Sequence, residues 1–574
     1  MGLIKLSPLV ALPFLAACAG AYSSPLERTF KPSEPILAGA VSAADPRAQA
    51  AGEAILAKGG SATDAAIAVM LALTVVEPQS SGIGGGGFLV RGTVDGELET
   101  FDGRETAPAA ATPDWFMGED GKPLGYREVV LTGLSVGVPG NIRLAELAHA
   151  KHGSLPWAAL FEPAIALARD GFAINNRLAG YLEGIPNRAG ASAQARALYY
   201  DADGAPLPAG TVVTNEPLAQ TLEALANVGP GAMYSGAIAA EIAQTVGQAT
   251  PRDGKMTLAD VEGYTAKSRD GICGQYRGYK VCSMGPPTSG GIAVLQMLGQ
   301  LERFDLAAYG KDSPVTWHLF LESQRLAYAD RELYLADSDF IGVPVAGLID
   351  RQYLNSRSAL INPDKRNNDV AAGKPEGADL SLADGNEPLE YGTSHFSVVD
   401  SVQTMVSYTS TIEGPFGSGL MVRGFYLNNE LTDFSAAPEV DGKPVANRVE
   451  GGKRPRSSMS PVVVWAPDGE PFMAVGAAGG ATIPVTTARA IIGAIDFGLG
   501  AHEALALPFI MERGGTVQVE EGTWLEGAIK RFESLGHSNI TARPAGIKGN
   551  AILRENGRWV AASDPRIASG LEIP

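Results

Sequence analysis

The longest run of hydrophobic positions in the chain covers residues 62–76 and begins directly after Ser61. A helix over this run would be apolar on nearly all sides, so we expect a buried helix with Ser61 as its N-cap. Further along the chain, apolar and polar residues alternate over 395–400 and 405–412, which is the period of β-strands. These patterns predict a central buried helix and two strands close together in sequence.

Turn dipeptides separate further pairs of strands. Asp468-Gly469 lies between the apolar runs 462–465 and 473–476, and Asn556-Gly557 lies between 551–553 and 559–561, so each pair predicts a hairpin. Another apolar stretch predicts a strand at 129–132. We predict helices over residues 141–150, 155–169, 216–226, 315–333, 485–497 and 525–535. Strands and helices mixed in this way indicate an α+β fold in which helix layers enclose the sheets.

The segment 363–391 shows neither period. It is polar, acidic and rich in Gly, Pro and Asn, so we interpret 363–392 as a mobile loop that ends at Gly392-Thr393, immediately before a buried strand. Cleavage before Thr393 would give one residue both a hydroxyl nucleophile and a free amine that can act as its base. Gly392 suits such a bond, because glycine tolerates the strained backbone that attack on its own carbonyl requires. A linker followed by an ordinary strand is the alternative.

The N-terminus has the features of an export signal. Lys5 precedes an apolar run over residues 6–17, and Leu15-Ala16-Ala17-Cys18 resembles a bacterial lipobox in which Cys18 is acylated. A plain secretory signal with an incidental cysteine is the alternative. Because the run is too short to span a bilayer, we expect the segment 1–18 to undergo either removal or lipid anchoring through Cys18. The prediction is an exported, periplasmic protein that is attached to a membrane only through a lipid anchor.

Cys273 and Cys282 are the remaining cysteines, and they flank a short apparent hairpin. A cross-strand disulfide is expected in an oxidising compartment, with a reduced buried pair as the alternative. Two thiols without a nearby histidine fall short of the four ligands of a structural zinc site, so we expect no metal there. With 45 basic and 63 acidic residues, the net charge of −18 disfavours nucleic acid and anionic membranes as partners.

Two motifs match known signatures by spacing alone. Gly82, Gly84 and Gly87 satisfy the dinucleotide-binding fingerprint, but they follow a helical pattern and precede a strand, the reverse of the required order. Residues 133–137 match the nucleophile elbow of esterases around Ser135. Pro139-Gly140 occupies the position where the helix after an elbow must begin, so we do not expect Ser135 to be a nucleophile.

Two histidines invite functional interpretations. His318 lies on the predicted helix 315–333 without a partner nearby in sequence, and we expect it to be packed in the interior. His395 shares a strand face with Thr393. Because a free amine at Thr393 would already supply the base, we interpret His395 as structural.

Several blocks of the sequence resemble the gamma-glutamyltranspeptidase family, and they occur in the family's order. They are residues 59–90, 104–108, 284–291, the Thr393 segment, 427–434, 454–461 and 479–480. The resemblance implies an N-terminal nucleophile hydrolase with a four-layer αββα sandwich. It also implies a precursor that cuts itself into a large subunit, 19–392, and a small catalytic subunit, 393–574. We expect no metal or organic cofactor.

The resemblance implies a reaction and its residues. Thr393 would attack γ-glutamyl amides such as glutathione, and the acyl group would pass to water or to an amino-acid or peptide acceptor. Thr411 would hold the nucleophile, and backbone N–H groups of Gly479 and Gly480 would form the oxyanion hole. The donor's α-carboxylate and α-ammonium would be bound by Arg104, Ser457, Ser458, Glu430 and Asp433.

Two features depart from the family pattern. Glu413 stands where the best-known members have asparagine, and it could add an acceptor for the ammonium or change what is bound. The stretch 436–453 is short and has no aromatic residue, so it lacks the tyrosine that some members use as a lid. Two alternatives therefore remain: a cephalosporin- or glutaryl-type acylase of the same fold, or a surface lipoprotein that binds γ-glutamyl compounds without turnover.

Overall fold

The computed structural model describes residues 39–385 and 392–574. The predicted export signal with Cys18, and residues 386–391 of the predicted loop, lie outside the described residues. The strands are β1 Ala40–Ala43, β2 Gly86–Gly92, β3 Leu98–Asp102, β4 Phe172–Ala173, β5 Val212–Val213, β6 Lys267–Arg269, β7 Gly271–Tyr276, β8 Tyr279–Met284, β9 Ser394–Val399, β10 Met405–Thr411, β11 Met421–Val422, β12 Phe425–Tyr426, β13 Glu439–Val440, β14 Lys443–Pro444, β15 Val462–Trp465, β16 Pro471–Ala478, β17 Ile510–Arg513, β18 Thr516–Glu520, β19 Ile540–Arg543, β20 Lys548–Glu555 and β21 Arg558–Ser563.

The helices alternate with these strands along the chain. The α-helices are α1 Pro46–Ala57, α2 Ala62–Val76, α3 Tyr126–Val129, α4 Asn141–His152, α5 Glu162–Asp170, α6 Asn176–Gly184, α7 Pro186–Ala189, α8 Ala193–Tyr199, α9 Glu216–Val228, α10 Gly231–Tyr234, α11 Gly236–Ala249, α12 Leu258–Glu262, α13 Gly290–Leu301, α14 Leu306–Tyr309, α15 Pro314–Tyr334, α16 Val345–Ile349, α17 Arg351–Ser358, α18 Ile483–Asp496, α19 Ala501–Ala506, α20 Trp524–Gly527, α21 Ile529–Ser534 and α22 Ala568–Leu571. Short 3₁₀ turns lie at Gly133–Ser135, Trp157–Leu160, Glu430–Asp433, Gly480–Thr482 and Pro565–Ile567.

Two six-stranded antiparallel sheets form the centre of the molecule. The first has the strand order β1-β9-β10-β2-β3-β6 and the second has the order β21-β20-β16-β15-β8-β7. Strands β9 and β10 of the first sheet pack against β16 of the second. A buried cluster fills the space between the sheets, with Phe88 and Met405 from one and Val463 and Trp465 from the other. Helices α1 and α2 cover the first sheet, and α13 and α18 cover the second, so the layers are αββα.

Helix α2 has the apolar surface that its position requires. All of its residues are buried, and Ser61 and Asp64 form a reciprocal capping box at its N-terminus. The backbone N–H of Ala62 also donates to Asp400 Oδ2 at 3.0 Å, which ties the start of α2 to the end of β9. The helix therefore fixes the position of β9, the strand that follows Thr393.

The register between β9 and β10 places two predicted site residues side by side. Ser394 pairs with Ser410 and His395 pairs with Thr409. Because the strands are antiparallel, Thr393 and Thr411 come next to each other one position further on. On its other side, β10 pairs with β2, where Thr411 lies opposite Gly86.

Most of the predicted elements are confirmed. Helix α2 has the predicted bounds, and α4, α9, α15 and α18 agree with their predictions to within about three residues. The strands β9 and β10 are confirmed, as are the hairpins β15-β16 and β20-β21. The layered α+β architecture also agrees with expectation.

The predicted strand at 129–132 is wrong. Residues up to Val129 form α3, whose start is capped because Gly125 N–H donates to the Glu128 carboxylate. Val130 N–H then donates to the Tyr126 carbonyl, and the Thr132 hydroxyl closes the turn on the Val129 carbonyl. These local hydrogen bonds outweigh the β-propensity of the valines.

Two predicted long helices are interrupted. Instead of one helix over 155–169, a 3₁₀ turn at Trp157–Leu160 precedes α5, which begins at Glu162 with a proline in its first turn. Proline cannot donate a helical hydrogen bond, so it starts a helix rather than continuing one. The predicted helix 525–535 is divided at Ala528 into α20 and α21.

Strands β7 and β8 form the hairpin expected around Cys273 and Cys282, which pair directly across it. Their sulfur atoms are joined in a disulfide. Within the described ranges, no helix combines the length and the apolar character needed to cross a membrane.

Candidate active site

The Gly392-Thr393 segment has a strained backbone. Thr393 has φ +85°, in the left-handed region that β-branched residues rarely adopt. Its backbone N–H donates to the Ser80 carbonyl at 3.0 Å. A Cβ atom on Gly392 would lie 1.5 Å from the carbonyl oxygen of Glu413, so only glycine fits before the threonine. Strain is therefore concentrated at the bond that the sequence marks for cleavage.

The hydroxyl group of Thr393 has a defined partner. Its Oγ1 lies 3.0 Å from Oγ1 of Thr411, and the backbone N–H of Glu413 donates to that same Thr411 oxygen at 2.8 Å. Because the N–H occupies a lone pair of Thr411 Oγ1, the Thr411 hydroxyl hydrogen is available to point at Thr393. The arrangement orients the hydroxyl that the sequence identifies as the nucleophile.

Arg104 lies at the centre of a buried ion network. Its guanidinium donates to the carboxylates of Glu430 and Asp433 and, at 2.9 Å, to the Arg456 carbonyl. Burial would lower the pKa of Arg104, but the neighbouring carboxylates outweigh it and hold the pKa above its ordinary value. The 3₁₀ turn Glu430–Asp433 brings both carboxylates to the same guanidinium. The cation and both acceptors therefore form one unit before any substrate is bound.

Ser457 and Ser458 are held by residues that precede Thr393 in the chain. The Ser457 carbonyl accepts hydrogen bonds from the Ser289 hydroxyl at 2.6 Å and the Ser289 N–H at 2.8 Å. Arg331 on α15 donates to the hydroxyls of Ser289 and Ser458, both at 2.8 Å. Arg331 is buried, so it fixes the rotamer of Ser458. Sequence reasoning did not identify Arg331, because nothing in its local pattern distinguishes it from another helix residue.

Most of the predicted site residues line one small cavity. Its volume is about 10 Å³, roughly the space of one water molecule. The lining residues are Arg104, Thr393, Thr411, Glu413, Glu430, Asp433, Ser457, Ser458, Met459 and Ile483. A glutamyl group is much larger than this space, so the cavity must widen when a substrate of that size binds.

Gly479 and Gly480 do not line the small cavity. They follow β16 with φ values of +132° and +59°, and a Cβ on Gly479 would lie 2.5 Å from the Thr482 hydroxyl. The turn that they begin leads to Ile483, which does line the small cavity. Gly479 borders a second, larger cavity of about 1000 Å³.

Glu413, the position at which the sequence departs from the family pattern, is buried and lines the small cavity together with Thr393. The side-chain amide of Asn429 donates to its carboxylate. Asn429 in turn accepts from Gly414 N–H at 3.0 Å and from the Arg188 guanidinium. The carboxylate therefore adds a third acidic group to the wall formed by Glu430 and Asp433.

The two motifs that matched by spacing have structural roles. The Ser135 hydroxyl is buried and donates to the carbonyls of Val130 and Thr132, at 3.0 and 2.9 Å. A Cβ on Gly84 would lie 2.0 Å from the Tyr426 carbonyl, and one on Gly87 would lie 2.6 Å from the Thr409 carbonyl. The glycines therefore allow close packing of backbone segments.

His395 bridges the two strands next to the nucleophile. Its Nδ1 lies 2.8 Å from the Thr409 hydroxyl and its Nε2 lies 3.1 Å from the Ser397 hydroxyl. Burial lowers the pKa of His395 to about 3, so the ring is neutral at ordinary pH. Both nitrogens are occupied away from Thr393, and His395 is structural, as expected.

One group of buried side chains has the composition of a metal site. Among the described residues, His318, Glu322 and His537 bring their ligand atoms within 4.8 Å of one another. His318 Nδ1 lies 2.7 Å from His537 Nε2, and its Nε2 lies 2.8 Å from the Asn362 carbonyl. The Glu322 oxygens accept from Arg325 and from Asn367 N–H, both at 2.7 Å. Hydrogen bonds thus satisfy His318 and Glu322, whereas His537 Nδ1 approaches Glu512 Oε2 only to 3.7 Å. His318 has a partner that was not visible in sequence.

A family model described as gamma-glutamyltranspeptidase matches residues 48–572. The chain belongs to the gamma-glutamyltranspeptidase family. A glutathione hydrolase proenzyme of Bacillus subtilis strain 168 is 37% identical over 92% of this chain and 90% of its own length. A glutathione hydrolase proenzyme of Escherichia coli K12 is 36% identical over 93% of this chain and 91% of its own length.

A solved member of the same fold is a cephalosporin acylase from Bacillus halodurans. It is 26% identical, with a TM-score of 0.76, and the match covers 96% of this chain and 98% of that one. The αββα architecture that the resemblance implies is therefore shared with this acylase. The family membership also explains why Arg104, the 430–433 turn and Ser457-Ser458, far apart in sequence, meet beside Thr393.

Proposed function

We propose that this protein is a γ-glutamyl hydrolase and transferase that uses Thr393 as an N-terminal nucleophile after cleavage of the Gly392–Thr393 bond. The observation that carries the proposal is the 3.0 Å contact between the hydroxyls of Thr393 and Thr411, at a cavity that also contains Arg104. The family and the similarity to glutathione hydrolase proenzymes support the same reaction class.

Maturation begins with attack of Thr393 Oγ1 on the Gly392 carbonyl carbon. The C–N bond breaks, the nitrogen takes the hydroxyl proton, and an ester links Gly392 to Thr393 Oγ1. Water then hydrolyses this ester and releases a free Thr393 hydroxyl and amine. The positive φ of Thr393 favours the reaction, because relief of a strained backbone worth about 1–3 kcal/mol accompanies cleavage.

In turnover, the Thr393 amine takes the proton of Oγ1 as the oxygen attacks the γ-carbonyl of the donor. The tetrahedral intermediate collapses, the C–N bond breaks, and the leaving amine takes the proton from the Thr393 ammonium. A γ-glutamyl ester on Thr393 remains. Water completes hydrolysis, whereas an amino-acid or peptide amine completes transfer.

Donor recognition follows from the charges around the small cavity. A free α-carboxylate matches the Arg104 guanidinium together with the hydroxyls of Ser457 and Ser458. A free α-ammonium matches the carboxylates of Glu430 and Asp433. Since Arg104 already contacts both carboxylates, the two ends of an amino acid would lie side by side across the existing ion network.

A second candidate function is an acylase that acts on dicarboxylic acyl amides. Glu413 departs from the family pattern, since a third buried carboxylate in the small cavity changes the charge that the site presents to an acyl group. The stretch 436–453 also contains no aromatic residue to close over a glutamyl group, and the cephalosporin acylase structure has a similar fold. An open site of this kind would favour water over an amine acceptor.

We further propose that the mature protein consists of residues 19–392, preceded by an acylated Cys18, and residues 393–574, and that it is exported and anchored through this cysteine. The Cys273–Cys282 disulfide supports an oxidising compartment. Hydrogen-bonded strand pairs between the two proposed chains support their association. Strand β9 of the small subunit lies between β1 of the large subunit and β10, and β15 pairs with β8.

The test compares the wild type with Thr393→Ala on denaturing gels and in assays with glutathione, a γ-glutamyl anilide and a glutaryl amide. The wild type should give two fragments and hydrolyse a γ-glutamyl substrate, and Thr393→Ala should give one band near 59.6 kDa and no activity. Ser135→Ala should behave as the wild type. A preference for glutaryl amide would establish the acylase, and uncleaved, inactive wild type would favour a binding lipoprotein.

A further inference from the structure

A second buried cluster contacts the backbone partner of Thr393 and the residue that follows it, and none of its side chains lines the small cavity. Lys548, at the start of β20, has its Nζ 3.1 Å from Ser80 Oγ, and 3.4 Å from both Glu77 Oε2 and Ser394 Oγ. Arg177, on α6, donates to Glu77 Oε1 at 2.5 Å. The Ser394 hydroxyl donates to Glu77 Oε2, also at 2.5 Å. The cluster joins both predicted subunits, and no motif in the sequence identified it.

This cluster is connected directly to the nitrogen of Thr393. The Ser80 carbonyl accepts the Thr393 N–H at 3.0 Å, and the hydroxyl of the same serine is the nearest partner of Lys548. Ser394, the residue after the nucleophile, is held by Glu77 and Lys548. The nitrogen that cleavage would convert into an amine is thus fixed through residues that Lys548 contacts.

We infer that Lys548 is a positioning residue for Thr393: it holds Ser80 and Ser394 in place, and its ammonium disfavours protonation of the amine that cleavage releases. The inference rests on the proposed function, since it concerns the amine that acts as base there. A base must be unprotonated to work, and a nearby positive charge stabilises the unprotonated amine.

The charge of the cluster supports this role. Burial and the Arg177 guanidinium lower the pKa of Lys548 to about 7, and Glu77 offsets only part of that effect. Burial would raise the pKa of Glu77, but Arg177, Lys548 and the Ser394 hydroxyl outweigh it and lower the pKa. Below about pH 7 the cluster therefore carries two positive charges and one negative charge.

The charged groups that line the small cavity with Thr393 are mainly acidic. There Arg104 is matched with Glu430 and Asp433, and Glu413 adds a further carboxylate. Together these side chains favour the protonated amine. The ammonium of Lys548, which is present below about pH 7, opposes this effect and makes the amine easier to deprotonate in that range.

The experiment measures kcat/KM for a γ-glutamyl anilide against pH, in mature enzyme and three variants. The acidic limb of this pH profile reports the pKa of the Thr393 amine, which must lose its proton before it can act as a base. Lys548→Met removes a positive charge and should move this limb upward by about one pH unit. Lys548→Arg keeps the charge and should restore the wild-type limb. Glu77→Gln removes a negative charge and should move the limb downward.

The matched control is Arg554→Met, which removes a cation from the same strand at a partly exposed ion pair with Glu470. It should leave the limb in place. If Lys548→Met does not mature, Glu77→Gln carries the test alone. The inference would be overturned if the wild type is active and the acidic limbs of Lys548→Met and Glu77→Gln both coincide with the wild-type limb. If Lys548→Met does not mature, a wild-type limb in Glu77→Gln alone would overturn it. Wild type that is neither cleaved nor active would instead overturn the proposed function, so the two failures are distinguishable.

Discussion

The hydroxyls of Thr393 and Thr411 face each other at the ends of adjacent antiparallel strands, with their oxygen atoms 3.0 Å apart. The N–H of Glu413 approaches Thr411 Oγ1 from the other side at 2.8 Å. Thr411 therefore connects the nucleophile to the backbone of the segment that packs against Gly392. From this geometry we expect Thr411 to act in both the proposed cleavage and the proposed turnover.

Replacing Thr411 by valine should impair both steps. The volume is nearly unchanged, but the hydroxyl that orients Thr393 is lost and the Glu413 N–H loses its acceptor. We expect slower self-cleavage on gels and a kcat reduced about 100-fold. Thr411→Ser keeps the hydroxyl and should recover most of the activity. Wild-type rates in Thr411→Val would show that the contact has no function.

Replacing Arg104 by lysine tests donor recognition. Lysine retains the positive charge near Glu430 and Asp433, which limits the loss of stability that an unmatched buried carboxylate causes. It cannot present the planar pair of donors that a carboxylate binds. We expect KM for a γ-glutamyl anilide to rise at least about tenfold, with a smaller change in kcat. An unchanged KM would exclude Arg104 from the donor site.

Glu105, next to Arg104, should make stability depend on pH. Burial raises its pKa from 4.5 to about 8, and attraction to Arg104 offsets only part of the shift. The folded state thus binds more protons between these values than the unfolded state. The contribution of Glu105 to the free energy of unfolding is complete below pH 4.5 and is lost as pH rises through 8.

Glu105→Gln should remove that dependence. Relative to the wild type, the variant should gain stability on the order of 5 kcal/mol above pH 8, as measured by denaturant unfolding from pH 5 to 9. The matched control is Glu53→Gln, an exposed glutamate on α1, which should leave the profile unchanged. Parallel profiles for Glu105→Gln and the wild type would contradict the assignment.

The Cys273–Cys282 disulfide should stabilise the β7-β8 hairpin. It closes a short loop, with a sequence separation of 9, so its loss should cost about 2–3 kcal/mol in the free energy of unfolding. Denaturant unfolding of the Cys273→Ser/Cys282→Ser double variant measures this. The reduced wild type should match the double variant, whereas equal stability of the oxidised wild type and the double variant would show that the disulfide does not stabilise the protein.

The sequence predicted the elements whose pattern is local. Helix α2 is apolar throughout and has a capping serine, so both its bounds and its burial were predictable. The failures arose where local hydrogen bonds compete with hydrophobicity, as at Thr132, and where Pro163 begins a new helix inside an apolar stretch. A hydrophobic pattern does not record either effect.

The site was predictable only through the resemblance of its motifs. Arg104 and Glu430 are separated by 326 positions, yet they are in direct contact. No sequence periodicity connects them, and each residue alone would be predicted to be a charged surface residue. Glu77 lies in one of the resembling blocks and Lys548 lies in none, so their contact across 471 positions became apparent only from the packing of β20 against β9.

The central claim is that the bond before Thr393 breaks and leaves threonine at the start of the active small chain. N-terminal sequencing of the smaller fragment from active protein tests it directly. The account predicts Thr-Ser-His-Phe as the first residues of that fragment, and no such fragment from Thr393→Ala. Active protein that is uncleaved, or whose smaller fragment begins at any residue other than Thr393, would contradict the account.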